Sequence, residues 1–349
     1  MRELRFPAPL QPGDRIGVTA PSAGVQADLR PRLDVVVQWL EERGYEVVIG
    51  ECMDGASVTS GSPIRRAQEL TRMLTDPRIR AVIPPWGGEL AIEILPHLDF
   101  DAIGSAEPTW LIGYSDISTL LLPLTLLTGV ATLHGQNLMD TPNRIPDEIR
   151  HWSDAISTSP GGRLTQRASL HHARQEAQHA FFQKLRTDPT ATDLPLEEPG
   201  SWRLGRTPSS NLDVQGRLIG GCIEVLAPLA GSRYGDVGRF GGEHAKDGLI
   251  IYLEACESPA LDIARSLWSM RLAGWFEHAV AVLIGRTQAP PSANFSQDDA
   301  VMSALGDLDI PLVLDVDCGH VPPHLCLING AHAHIVTDEH TQRITQTIG

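Results

Sequence analysis

The sequence predicts an α/β protein, with a parallel sheet covered by helices in its N-terminal half and a second α/β unit after it. Short apolar runs typical of buried strands alternate with segments of helical periodicity through the first part of the chain. The same alternation resumes near residue 215, and the pattern between the two parts is weaker. We therefore divide the chain into an N-terminal domain at 1–165, a connecting or lid segment at 166–205, and a C-terminal domain at 206–349.

The first part contains strand and helix patterns in strict alternation. Strands are predicted at 15–19, 45–49, 80–83 and 109–112, and helices at 33–40 and 64–74. Gly44 and the Asp76-Pro77 pair are natural helix stops. Because parallel sheets bind ligands at the carboxyl ends of their strands, the turns that follow 80–83 and 109–112 are the first places to look for a site.

The second part repeats this alternation after a polar connecting segment. Strands are predicted at 248–253, 279–284 and 310–314, and helices at 223–229 and 261–271. The connecting segment contains polar helices and a stretch rich in Pro, Thr, Asp and Glu. We interpret it as a link between domains that also covers the cleft.

Composition excludes several classes of partner. The 349 residues carry a formal charge of -15, which argues against nucleic acid or an anionic membrane surface as a ligand. The first residues contain no apolar stretch of signal-peptide length, and no apolar run is long enough to span a bilayer. Five scattered cysteines without paired spacing predict neither a disulfide framework nor a metal site. These features together favour a reducing cytoplasm and a small-molecule substrate.

Ser115 lies in the turn Gly113-Tyr114-Ser115-Asp116, between an apolar strand and an apolar helix. Such a turn lifts a serine hydroxyl out of the sheet and places backbone N–H groups beside it, as a nucleophile requires. The second glycine of a full nucleophile elbow is absent, because Ile117 stands there. The alternative is an ordinary strand-to-helix turn capped by Ser115 or Asp116.

A nucleophilic serine needs a base and a carboxylate that orients the base. His320 is the best base, because it follows a buried strand in a loop shaped by Gly319 and two prolines. Glu254 is the best acid, since a carboxylate directly after five apolar strand residues is costly to bury without a partner. A loop histidine and a solvent-facing glutamate are the alternatives, and three other acids stay open for the orienting role: Glu257, Asp315 and Asp317.

Gly87 and Gly88 follow the strand at 80–83 and are expected to face the Ser115 turn. Glycine allows a close backbone approach, so the N–H near Gly88 and the N–H of Asp116 would form an oxyanion hole. The alternative is a tight turn that needs glycine only for its backbone conformation.

These motifs, in this order, resemble the serine peptidases that include murein tetrapeptide LD-carboxypeptidases and microcin C immunity proteins. The resemblance covers nearly the whole chain and is carried by the following segments: 13–18, 20–22, 65–67, 76–81, 87–88, 95–101, 112–117, 134–135, 216–221, 252–254 and 319–320. It implies a flavodoxin-like N-terminal domain with a parallel sheet and a smaller α/β C-terminal domain. It also implies a Ser115–Glu254–His320 triad, an acyl-enzyme, no metal or organic cofactor, and a homodimer.

Two substrate classes compete within this resemblance: the terminal D-alanine of a murein tetrapeptide, and the amide of an aminoacyl- or peptidyl-nucleotide. Trp86 stands where the carboxypeptidases usually have arginine, the 95–99 stretch is closer to the immunity branch, and the long 141–202 segment is expected to cover a nucleotide. We expect Trp86, Gly87 and Trp202 to bind substrate, the tryptophans by stacking on a base; core packing is the alternative for both tryptophans. Cys222 departs from the asparagine of many members.

Two readings outside this choice remain open. A non-catalytic protein that sequesters its ligand in the same cleft would not need the hydroxyl of Ser115. A general α/β-hydrolase esterase would share the chain order Ser, Glu, His, although the missing elbow glycine counts against it.

Overall fold

The computed structural model describes residues 3–205, 211–338 and 340–349 as two large sheets with helices packed on them and one further sheet of two short strands. The strands are β1 Arg15–Val18, β2 Glu46–Ile49, β3 Ile79–Val82, β4 Trp110–Gly113, β5 Thr132–His134, β6 Arg163–Arg167, β7 His171–His172, β8 Glu198–Pro199, β9 Arg203–Leu204, β10 Leu212–Cys222, β11 Leu249–Glu254, β12 Ala279–Gly285, β13 Leu312–Val316, β14 Leu327–Asn329, β15 His332–Thr337 and β16 Gln342–Thr347. The α-helices are α1 Arg30–Glu41, α2 Pro63–Thr75, α3 Phe100–Ser105, α4 Ser118–Thr128, α5 Trp152–Ile156, α6 Gln175–Lys184, α7 Ile223–Leu226, α8 Val237–His244, α9 Ala260–Leu272 and α10 Gln297–Leu305.

The first sheet has the strand order β2-β1-β3-β4-β5-β14. Its first five strands are parallel, and their order 2-1-3-4-5 is that of flavodoxin-like folds, which confirms the predicted class. The turns after β1, β3 and β4 leave the sheet at its carboxyl edge, on either side of the point where the strand order reverses. The functional candidates Gly87, Gly88 and Ser115 lie in two of these turns.

The second sheet has the order β6-β16-β15-β10-β11-β12-β13-β9. Strands β10 to β13 are parallel to one another, and the strands that flank them are antiparallel. Strand β10 joins the two arrangements, because its first residues pair with β15 and its last residues pair with β11. Strand β11 ends at Glu254, and the loop after β13 carries His320.

Each sheet also takes a strand from beyond the expected domain boundary. β14 follows β13 in the chain, yet it pairs with β5 and completes the first sheet. β6 begins at Arg163, before the expected boundary at 165, and pairs with β16 of the second sheet. The other expected boundary, between 205 and 206, meets residues 206–210, which lie outside the described residues. The two units are therefore tied together by the chain as well as by packing.

Helix α4, which follows Ser115, is the buried element shared by the two sheets. Ten of its eleven residues are buried, and its leucines belong to the same apolar cluster as Ile219 and Ile223 of the second unit. The backbone N–H of Cys222 donates to the Ser118 hydroxyl at 3.3 Å. The turn that carries Ser115 is thus fixed between both sheets. Within the described residues, no helix combines the length and the apolar character needed to cross a membrane.

Candidate active site

Ser115 has a left-handed backbone, with φ at 63°. A residue with a Cβ adopts this conformation at a cost on the order of 1–3 kcal/mol, and such strain is found where the surrounding structure holds a functional group in place. The turn is held from below, because the Asn137 side chain accepts the N–H of Tyr114 at 3.2 Å. The expected elbow geometry is therefore present even though Ile117 replaces its second glycine.

The structure brings Ser115, His320 and Glu254 into one hydrogen-bonded chain. Nε2 of His320 lies 2.9 Å from Oγ of Ser115, and Nδ1 of His320 lies 2.9 Å from Oε2 of Glu254. The Glu254 side chain is fully buried, and 19% of the His320 side chain is exposed. This is the arrangement in which an imidazole can take the proton of a hydroxyl while a carboxylate fixes its tautomer.

The electrostatics of this chain favour a charged pair. Burial opposes protonation of His320, but the adjacent Glu254 carboxylate and the Cys256 thiol raise its pKa well above the usual value. Burial likewise opposes ionisation of Glu254, but the charge and hydrogen bond of His320 hold its pKa below the usual value. The imidazolium formed during proton transfer would therefore be stabilised where it arises.

The other three acids that the sequence left open do not contact His320. Asp317 is buried and pairs with the guanidinium of Arg286 at 2.8 Å. Asp315 pairs with Arg203, and Glu257 is exposed.

Gly87 lies directly against Ser115. A Cβ added to Gly87 would lie 2.7 Å from Cβ of Ser115 and 3.0 Å from the backbone nitrogen of Asp116. Gly88 has a φ of 143°, which a residue with a side chain rarely adopts, and an added Cβ would lie 2.3 Å from Oγ of Ser22. The first N–H groups of a helical turn have no partner within it, so the N–H of Asp116 is placed to serve a ligand beside Gly88.

The Asp116 side chain has a role that the sequence did not reveal. One of its oxygens accepts the Ser22 hydroxyl at 2.5 Å and the N–H of Ala91 at 2.8 Å, and the other accepts the Thr119 hydroxyl at 3.2 Å. These bonds connect the turn after β1, the glycine turn after β3 and the start of α4. The three segments are far apart in sequence, so these bonds form only in the folded chain and no local pattern predicts them.

A cleft with a volume of about 280 Å³ opens over Ser115 and His320. We call its wall the aromatic lobe, defined by Trp86, Tyr114, Phe181, Phe182, Leu185, Leu194 and Leu196. The rings of Trp86 and Phe182 are neighbours with centroids 5.7 Å apart and are tilted by 59° to each other. Phe181 and Phe182 come from α6, so the connecting segment forms one side of the cleft. No sequence pattern marks these two phenylalanines as site residues, because their helix is mostly polar.

Trp202 does not reach the cleft, which corrects the expectation that it contacts substrate. It is only 3% exposed and packs in the core of the second sheet. Its Nε1 donates to Oδ2 of Asp317 at 2.8 Å. An indole with a buried carboxylate partner is more stable in this position than at a solvent-facing edge. Trp86, in contrast, is in the cleft as expected.

Two further histidines surround the Tyr114 ring below His320. The ring centroids of Tyr114 and His324 are 4.9 Å apart, and those of Tyr114 and His320 are 5.1 Å apart. Burial lowers the pKa of His134 to about 4 and the pKa of His324 to about 3. Both are therefore neutral near pH 7 and add no positive charge next to His320.

Among the described residues, one group has side-chain atoms close enough to share a metal ion. Atoms of Cys222, Glu254 and His320 lie within 4.8 Å of one another. Burial raises the pKa of the Cys222 thiol well above its usual value, and this thiol donates to Glu224 at 3.2 Å. Nδ1 of His320 already bonds to Glu254. The group is thus better suited to hydrogen bonding than to a thiolate metal site.

Models of two protein domains match the chain. A model described as the LD-carboxypeptidase N-terminal domain matches residues 16–135, and one described as the LD-carboxypeptidase C-terminal domain matches residues 215–335. The first contains Ser115, and the second contains Glu254 and His320. Both matched ranges lie inside the two parts of the chain that alternate strand and helix.

Three relatives show the range of proteins to which the chain is similar. A Vibrio cholerae protein, provisionally named a carboxypeptidase, is 27% identical and covers 95% of each chain. The microcin C7 self-immunity protein MccF of Escherichia coli is 25% identical, covering 97% of this chain and 95% of its own. The murein tetrapeptide carboxypeptidase of Pseudomonas aeruginosa is 28% identical, covering 74% of this chain and 72% of its own.

Solved structures of MccF share the fold. The complex of MccF with aspartyl sulfamoyl adenosine superposes with a TM-score of 0.81 at 23% identity, covering 99% of each chain. The complex with glutamyl sulfamoyl guanosine superposes with a TM-score of 0.80 at 23% identity, covering 98% of each chain.

Proposed function

Because the chain belongs to the LD-carboxypeptidase family of S66 peptidases, we propose that it is a serine hydrolase that cleaves the amide of aminoacyl- or peptidyl-nucleotides. One observation carries this proposal: a hydrogen-bonded Ser115–His320–Glu254 chain opens into a cleft lined by aromatic rings. The product would be a detoxified nucleotide, as in self-immunity to a microcin C-type toxin.

The proposed mechanism begins with Ser115. Nε2 of His320 takes the proton of the Ser115 hydroxyl while Oγ attacks the amide carbonyl carbon. The N–H groups of Gly88 and Asp116 hold the resulting oxyanion, and His320 gives its proton to the departing nitrogen. Water, deprotonated by His320, then attacks the acyl-enzyme and releases Ser115. Glu254 keeps Nδ1 of the imidazole protonated and stabilises its positive charge throughout.

The aromatic lobe supports a nucleotide as the leaving group. Trp86 and Phe182 both line the cleft, so either ring offers a face on which a planar base can stack. Stacking on aromatic side chains binds bases of any sequence, because every base has a π-face. That the structural relative MccF was solved with aminoacyl sulfamoyl nucleosides supports the same substrate class here.

The charges of the cleft disfavour a leaving group that carries a free carboxylate, such as a terminal amino acid. Release of a terminal amino acid requires a cation that holds its carboxylate beside the scissile bond. Among the described residues that line the cleft, Arg144 is the one lysine or arginine, and it is mostly exposed and pairs with Asp193 at 3.1 Å. Trp86 stands beside the glycine turn instead.

The second candidate is a murein tetrapeptide carboxypeptidase that releases D-alanine. The observation that favours it is the 28% identity to the Pseudomonas aeruginosa enzyme of that name. It would need Arg144 to leave Asp193 and to turn toward Ser115. A side-by-side assay therefore separates the two candidates.

The test incubates the purified protein with an aminoacyl sulfamoyl adenosine or with murein tetrapeptide and identifies the products by mass spectrometry. We expect release of the nucleoside by the wild type and none by Ser115→Ala. Ser105→Ala is the control, because Ser105 lies at the exposed end of α3 and bonds only to its own helix.

Release of D-alanine alone would replace the proposal with the carboxypeptidase. Stoichiometric binding of the nucleoside analogue, without turnover and unaffected by Ser115→Ala, would indicate a sequestering protein. Hydrolysis of simple esters, with neither substrate cleaved, would indicate a general esterase. The proposed homodimer is measured on the same sample by light scattering.

A further inference from the structure

His320 is reached from a second cavity besides the aromatic lobe. This cavity also has a volume of about 280 Å³, and it shares Gln178, Phe182 and His320 with the first. We call it the polar lobe, defined by Gln175, His179, Cys256, Glu257 and Gln288. Both lobes border the imidazole that faces Ser115, so both are within reach of a substrate bound at Ser115.

A substrate amide bound at Ser115 has an acyl side and a leaving-group side. Under the proposed function, the planar base of the leaving group is suited to the aromatic lobe. The acyl group and its side chain are then left with the polar lobe. The chemistry of that lobe therefore decides which acyl groups are accepted.

The polar lobe carries negative charge at fixed positions. Glu257 is exposed, and its backbone N–H donates to Oε1 of Glu224 at 3.1 Å. The same oxygen accepts the N–H groups of Cys256 at 2.8 Å and Ser258 at 3.2 Å, so the loop that presents Glu257 is held by three bonds. Glu224 thus fixes the backbone from which the Glu257 carboxylate reaches the lobe.

No lysine or arginine lies beside Glu257 among the described residues that line the polar lobe. Within the same set of described residues, Glu257 is also the one carboxylate. A second carboxylate, Glu89, directly follows the glycine turn, and partial burial together with the negative charges of Asp116 and Glu257 raises its pKa.

We propose that the polar lobe selects acyl groups with a positively charged side chain, such as lysyl or arginyl, which Glu257 binds. This inference rests on the proposed function. An ammonium or guanidinium placed there pairs with the Glu257 carboxylate, whereas an acidic side chain adds a second negative charge beside it. The analogues seen in the MccF complexes carry acidic acyl groups, so the two proteins would differ in the class of toxin they accept.

The experiment measures kcat/KM of the full-length protein for lysyl, alanyl and aspartyl sulfamoyl adenosine. We expect lysyl to exceed alanyl by about fivefold and alanyl to exceed aspartyl by a similar factor, as for exposed charge pairs at low salt. Both factors should shrink at high ionic strength. Glu257→Gln should lower the lysyl-to-alanyl ratio, and Glu257→Lys should bring the aspartyl compound above the lysyl one.

Glu107→Gln is the matched control, since Glu107 is exposed in the loop before β4 at the opposite edge of the sheet. It removes one negative charge and should leave all three ratios unchanged. Equal rates for the three compounds, or a preference for aspartyl, would overturn this inference and leave the proposed function intact. Absence of turnover with all three would overturn both.

Discussion

The two sides of the cleft are built in different ways. The side that we propose to be catalytic, called the catalytic side below, consists of Ser115, Glu254 and His320, which lie at or after the ends of strands in two sheets and are joined by bonds of 2.9 Å. The other side comes from the connecting segment, where Phe182 is 39% exposed. The first side is a chain of hydrogen bonds between three side chains. The second side is a partly exposed apolar surface that belongs to the connecting segment.

A single buried arginine attaches part of this segment to the N-terminal unit. The guanidinium of Arg32, on α1, donates to the carbonyl oxygens of Pro189 and Ala191 at 2.8 Å and to Asn143 at 2.7 Å. These bonds hold the part of the connecting segment that follows α6 to helix α1 of the N-terminal unit. We therefore expect the reaction rate to depend on the catalytic side and the substrate affinity to depend on the connecting segment.

The largest effect should come from Ser115 itself. Ser115→Ala removes the nucleophile, and kcat should fall by about 10⁶, as for other serine hydrolases. Ser115→Gly should be equally inactive but about 0.5–1 kcal/mol more stable than Ser115→Ala, because glycine relieves the left-handed backbone. Thermal unfolding of both variants checks this. Equal stabilities would mean that the turn is not strained.

The next effect concerns Glu254. Glu254→Gln should lower kcat by about 10⁴, because the imidazole loses the group that fixes its tautomer. It should also change the pH profile. The base must be neutral, so a raised pKa of His320 places the acid limb of kcat/KM above pH 6.5 in the wild type, and removal of the carboxylate moves that limb to lower pH.

Asp315→Asn is the control for this variant, because Asp315 pairs with Arg203 and does not touch His320. An acid limb that stays in place in Glu254→Gln would contradict the role given to Glu254.

Gly87 should follow with a smaller effect on the same side. Gly87→Ala places a Cβ 2.7 Å from Cβ of Ser115, so the glycine turn must move away. Displacing one oxyanion donor lowers kcat by about 10²–10³. Gly61→Ala serves as a control, because its added Cβ meets nothing nearer than Sγ of Cys52 at 3.9 Å. An unchanged kcat in Gly87→Ala would argue against an oxyanion hole at this turn.

The smallest effect should come from the connecting segment. Phe182→Ala removes one face of the aromatic lobe and should raise KM for an aminoacyl sulfamoyl adenosine about tenfold, the order of one lost stacking contact, with kcat nearly unchanged. Leu170→Ala is the control, since Leu170 lies in the same segment and is 66% exposed. A fall in kcat with unchanged KM would show that the two sides are not separable.

The sequence predicted those parts of the fold and site that local patterns determine. Apolar runs and helix stops located the parallel strands. Ser115, Glu254 and the glycine turn were selected because each follows one of these apolar runs. The loop with His320 was visible because glycine and proline shape it. In each case the pattern spans fewer than about ten residues, which is the range over which periodicity is informative.

The parts that the sequence did not predict depend on contacts between distant residues. A tryptophan can stack on a base, but the indole of Trp202 is in the core, where it donates to Asp317, more than a hundred positions later in the chain. Phe181 and Phe182 lie on a mostly polar helix, whose position over the cleft depends on Arg32. The pairing of β14 with β5 likewise depends on contacts between distant residues, because the sequence of β14 does not show which of the two sheets it joins.

The pairing of β14 with the first sheet has a consequence for when the site is completed during synthesis of the protein. Leu327–Asn329 completes the sheet that carries Ser115, yet it follows Ser115 by more than two hundred residues, and His320 comes only shortly before it. A nascent chain that already contains Ser115 therefore still lacks His320 and the outer strand of its sheet. The proposed catalytic centre is complete only after this later region has been synthesised, and a polypeptide that is truncated before it lacks that centre.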